Sequence, residues 1–168
     1  MMSETADMIG AIVNAGKTAW DIVKDGAAKS GASSSFCSAV PKNLKFTDLS
    51  GWKSKSGSWR ILLENGFGAN VVDVELKYSF DYNGTSDKAP GALFVNNFTV
   101  YSTKASVLWG YECNVTATVK GNPTNVGSKT KIIGAVPLLV SSSYGNMFKI
   151  ASTTLMLQAR GDGKLVVK

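Results

Sequence analysis

Residues 71–84, VVDVELKYSFDYNG, alternate with a period of two: Val72, Val74, Leu76, Tyr78 and Phe80 fall on one side, Asp73, Glu75, Lys77, Ser79 and Asp81 on the other. Successive side chains of a strand point to opposite faces, so the stretch predicts an antiparallel strand with one face in a core and one in water. The same reading extends to WGYECNVTATVK (109–120), where Trp109, Tyr111, Cys113, Val115, Ala117 and Val119 share the predicted inner face. Less regular strands fit residues 43–49, 58–64, 92–102, 131–143, 147–158 and 164–168, with turns at NG, GNPTN and RGDG between them. About eight such strands, rich in Val, Thr and aromatics, predict an antiparallel β-sandwich over residues 36–168.

One segment reads differently. From Thr5 to Gly26 the apolar residues Ile9, Ile12, Val13, Ala19, Trp20 and Val23 recur mostly three and four positions apart, while Asn14, Lys17, Thr18, Asp21, Lys24 and Asp25 gather on the opposite arc. That spacing predicts an amphipathic helix packed on the sandwich, with Ser3 or Thr5 as its cap and Gly26 or Gly31 as its stop. GAAKSGASSS (26–35) is small and polar and predicts a hinge. The expected organisation is residues 1–35 as helix and hinge, and 36–168 as the β domain.

At 168 residues, 44% hydrophobic and 18% charged, the chain is long enough and apolar enough to build one core. No apolar run reaches the length of a membrane-spanning helix and the N-terminus lacks the pattern of a signal peptide, so a soluble protein is expected. The net charge of +6 is spread over scattered lysines such as Lys42, Lys45, Lys53, Lys55, Lys129 and Lys131, too diffuse for a nucleic-acid interface. The absence of histidine removes the usual catalytic triads and most zinc sites, which argues against an enzyme, a metal centre or a cofactor. Cys37 and Cys113 read as buried free thiols, although a disulfide between them stays open.

Other motifs have plainer readings. Asp73 and Glu75 lie on the wet face of a strand, Arg160-Gly161-Asp162 suits a hairpin turn, and the sequons at Asn83, Asn97 and Asn114 are expected by chance in an Asn- and Thr-rich chain. The aromatics say more: Tyr101, Trp109, Tyr111 and Tyr144 lie at or near predicted strand ends and loops. Such residues suit lipid headgroups, sugar rings or the capping of a core.

The order of an N-terminal amphipathic helix, ADMIGAIVNAG…WDIVKDG, a flexible hinge and a β-sandwich resembles the actinoporin-type pore-forming cytolysins. ALFVNNFTVYSTKASVLWGYECNVTATV (92–119) is loosely similar to that family's headgroup-binding strand, loop and strand. The resemblance implies a toxin released to act at target-cell membranes, attached to lipid through Tyr101, Trp109, Tyr111 and Tyr144 and self-associating there. The insertion helix would then carry Ile9, Ile12, Val13, Trp20 and Val23, and the pore would be lined by Lys17, Asp21, Lys24 and Asp25. A lectin-like carbohydrate-binding sandwich with a purely structural helix is the alternative.

Overall fold

A computed structural model describes residues 10–29 and 35–168. In chain order the strands are β1 (Ile12–Val13), β2 (Ala19–Lys24), β3 (Ala27–Ala28), β4 (Cys37–Pro41), β5 (Lys53–Glu64) and β6 (Asn70–Gly84). They continue with β7 (Phe94–Val107), β8 (Tyr111–Val119), β9 (Thr124–Asn125), β10 (Gly134–Asn146), β11 (Ile150–Arg160) and β12 (Leu165–Val167). One sheet runs β1-β4-β7-β6-β5, and the other β12-β11-β10-β8-β2-β3 with β9 against the end of β10. All these ladders are antiparallel.

The alternation that opens the sequence reading sets the core. Val72, Val74, Leu76 and Phe80 of β6 face Cys113, Val115 and Ala117 of β8 and Val136, Leu138 and Val140 of β10 across the gap between sheets, all buried. An aromatic run of Tyr78, Phe80 and Tyr82, with Phe98 edge-on to Phe80, continues it. Cys37 and Cys113 are both buried and unbridged. RGDG is the turn between β11 and β12, closed by Gly163 N–H to Arg160 O (3.0 Å), with Arg160 paired to Asp162 at 2.9 Å.

The expected N-terminal helix is corrected. Among the described residues the only helical turn is a 3-10 turn at Phe46–Asp48, and it replaces the strand expected at 43–49 because Asp48 Oδ2 accepts the Lys45 N–H and folds the chain back. Residues 12–24 instead form two strands in different sheets, β1 against β4 and β2 against β8. Ile9 lies outside the described residues.

A corner between β1 and β2 makes this possible. Asn14 Oδ1 accepts the N–H groups of Gly16 and Ser38, its Nδ2 donates to Lys17 O, and Ala15 N–H donates to Ser38 Oγ. Gly16 lies so close to the Phe36 carbonyl that a Cβ there would sit 2.1 Å from its oxygen. Beyond the corner Trp20, Ile22 and Val23 are buried, and Trp20 Nε1 donates across the gap to Val100 O at 3.1 Å. A bulge between Asp21 and Val23 turns both Ile22 and Val23 inward. Two short strands, a corner and a bulge thus imitate helical spacing.

The expected hinge also begins as structure. Asp25 (φ 52°) and Gly26 (φ 78°) form the two-residue turn that pairs β2 with β3, the left-handed pair a tight hairpin requires. Asn14→Ala leaves two buried or half-buried N–H groups without their acceptor. It is expected to lower stability by about 1–3 kcal/mol, read as a lower urea midpoint with an unchanged slope.

Candidate functional site

The strand registers bring three loops to one end of the sandwich. β5 and β6 pair from Lys53↔Tyr82 to Glu64↔Asn70, so the loop at residues 65–69 caps that hairpin. Val72 pairs with Val107 and Leu108 N–H donates to Val71 O at 3.0 Å, which sets the β7–β8 loop beside it. Tyr111 pairs with Asn146, which adds the β10–β11 loop at residues 147–149. The β2–β3 turn joins the same pole through Gly26 N–H to Cys113 O and Asp25 N–H to Asn114 Oδ1.

Each of the three loops ends in bulky apolar side chains that face solvent. Phe67 is 97% exposed, Trp109 99%, Met147 86% and Phe148 89%. Two loops share one device. Asn65 Oδ1 accepts the N–H groups of Phe67 (2.9 Å) and Ala69 (3.0 Å), and Asn146 Oδ1 accepts those of Phe148 and Lys149 (both 2.9 Å). A side-chain oxygen that satisfies its own loop's backbone fixes the turn, and in both cases a phenylalanine two residues on points outward. The third loop is a tight turn closed by Tyr111 N–H to Leu108 O (3.0 Å), with Gly110 at φ 87°.

Beneath the tips the open end of the sandwich holds a cavity of about 300 Å³. Leu63, Tyr111, Tyr144 and Ala151 line it, with Glu64, Asn65, Gly66, Asn146 and Lys149 among the residues of its rim. Tyr144 pairs with Cys113, whose thiol burial pushes up to about 11 and keeps uncharged. The pole's charges nearly balance: Lys24 and Lys149 against Asp25, Glu64 and Glu112. Much of the positive charge lies at the other end, in the connections that carry Lys42, Lys45, Lys88, Lys120, Lys129 and Lys131.

The sequence-predicted residues separate accordingly. Trp109, Tyr111 and Tyr144 come together at the pole, but Trp109 projects from a turn instead of lying on the inner face expected from the alternation. Tyr101 pairs with Lys77 on the outer face of its sheet, six residues and roughly 20 Å of strand from Val107, and does not join them. Trp20 and Val23 are core, and Ile12 and Val13 are half-buried. Lys17, Asp21, Lys24 and Asp25 are exposed on a crossover, a strand and a turn, so they share no helical arc. Phe67, Met147 and Phe148 were not anticipated. GFG and YGNMFK, each with a large apolar residue inside a glycine- and asparagine-rich turn, are the signals that mark them.

Comparison with protein-family models, with curated proteins and with solved structures returned no match. Among the described residues no group of His, Cys, Asp and Glu is placed to hold a metal ion, and no helix is long and apolar enough to cross a membrane.

On the outer face of β5, β6 and β7, the strands that mount the pole, Asp73 receives Arg60 at 2.8 Å and Lys104 at 2.9 Å. The hydrogen bond from Lys104 is the main cause of a carboxyl held below its ordinary value. The charges of Arg60 and Lys104 reinforce it and partial desolvation opposes it. A depressed carboxylate stabilises the fold above its unfolded value near 4, and the contribution is lost as pH falls through the lowered value. Asp73→Asn is therefore expected to be less stable than the wild type at neutral pH, with the two urea midpoints converging on acidification; a gap that persists in acid would remove charge as its cause.

Proposed function

We propose that the protein attaches to membrane surfaces through the apolar pole formed by the β5–β6, β7–β8 and β10–β11 loops. The observation that carries this reading is the presentation of Phe67, Trp109, Met147 and Phe148, nearly fully exposed, on three fixed turns at one end of the fold. Exposed apolar surface concentrated on turns is costly in water and gains when a bilayer interface or partner covers it. Trp109 also has the apolar body and polar N–H that suit the headgroup layer. Fixed turns mean that little backbone freedom remains to be lost on docking.

Attachment is the step these residues support, and it keeps the headgroup role first expected of Trp109. The pore-forming part of the cytolysin expectation relied on a helix that swings out. Residues 12–24 are instead built into both sheets, and withdrawing them would uncover Trp20, Ile22 and Val23. At about 1.5–3 kcal/mol for each such side chain, the gross cost approaches the whole stability of a domain of this size.

Because the pole is close to neutral, docking rests on apolar contact more than on attraction to anionic lipid. The full chain is expected to co-sediment with zwitterionic phosphatidylcholine vesicles, with little change between about 0.1 M and about 0.5 M salt. A Phe67→Ser, Trp109→Ser, Phe148→Ser variant should keep the fold by circular dichroism and lose binding by more than about 100-fold. Absence of wild-type binding, or binding that survives the triple substitution, would overturn the proposal.

A further inference from the structure

The cavity at the open end of the sandwich has a composition that apolar docking does not use. Its walls are Leu63 from one sheet and Tyr111, Tyr144 and Ala151 from the other. Among the described residues neither tyrosine hydroxyl has a hydrogen-bond partner, and Glu64 and Lys149 make no ion pair. Asn65 and Asn146 spend their side-chain oxygens on their own loops, which leaves both amide NH₂ groups at the rim as donors.

We propose that this cavity binds a single pyranose ring of a glycan. Aromatic faces match the C–H faces of a sugar, and the phenols, amides, carboxylate and ammonium match its hydroxyls, which both donate and accept. The balance of groups decides between ligand classes. Four neutral hydrogen-bonding groups stand beside one acid and one base, so a polyol, whose hydroxyls donate to Glu64 and accept from Lys149, the amides and the phenols, uses all of them; a phosphocholine headgroup accepts through its phosphate but has no hydrogen-bond donor for Glu64. Its position beneath the tips suits a sugar carried on a membrane lipid, but the site needs no bilayer, so sugar binding and vesicle binding succeed or fail separately.

The test is an NMR titration of the full chain with the methyl glycosides of glucose, galactose, mannose and N-acetylglucosamine, and separately with phosphocholine. At least one glycoside should shift the ring resonances of Tyr111 and Tyr144 saturably. Glu64→Gln and Tyr144→Phe, which keep the exposed carboxyl's shape and the half-buried ring, should each weaken that response about fivefold to tenfold. No shift with any of the four glycosides, shifts confined to residues outside the cavity, shifts with phosphocholine alone, or responses unchanged in both variants would each overturn the proposal. If a glycoside binds, repeating the vesicle assay with and without a lipid carrying that sugar separates a lipid-borne ligand from a free glycan.

Discussion

The fold depends on the way its first strands cross from one sheet to the other. Asn14 holds the corner with one side chain, Gly16 lets it pass against the Phe36 carbonyl, and Trp20 then reaches back to hydrogen-bond Val100 in the sheet the chain has just left. A buried indole N–H left unpaired would cost about 1–3 kcal/mol, so this bond fixes the orientation of Trp20 as well as its burial. The segment therefore ties the two sheets together, and detaching it would break the Trp20 bond and uncover Ile22 and Val23.

That rigidity is what makes the far pole significant. Long ladders on β5, β6, β7, β8, β10 and β11 all deliver their turns to the same end, and each turn is held by an asparagine side chain or a tight backbone bond. The apolar side chains there are presented by the scaffold and do not result from a loose loop. The pole also lacks the positive charge that dominates the opposite end, so the molecule is polarised between an apolar, nearly neutral face and a basic one. Contact with a bilayer at the first face would turn the second toward solution.

Much of the sandwich was legible because its central strands obey a single rule. Val72 to Phe80 and Cys113 to Ala117 alternate without interruption, and the structure buries the residues that alternation selects except Tyr78, which is half-buried; Asp73, expected on the wet face, is buried beneath Arg60 and Lys104. The N-terminal segment was misread for a physical reason: the bulge at Ile22 and the corner at Asn14 break the period of two, and the remaining apolar positions then fall three and four apart. Ile22, omitted from the helical face, is fully buried, and Asp25-Gly26 is a hairpin turn that could equally be read as a helix stop. The site was legible only in part. Trp109, Tyr111 and Tyr144 stood out as aromatics near loops, but Phe67 and Phe148 were hidden in segments read as a plain turn and as a strand. Which loops meet is set by register over a dozen residues, and local pattern does not carry that information.

The loop pole is the surface proposed to meet lipid. Quenching of tryptophan emission by brominated phosphatidylcholine vesicles tests it most directly, with the wild-type chain and Trp109→Phe compared. Trp109 is the exposed indole at the pole, whereas Trp20 lies in the core. Vesicles should quench and blue-shift a component of the wild-type emission that is missing in Trp109→Phe. Equal quenching of both proteins would contradict it, because another tryptophan would then be the one that reaches the bilayer.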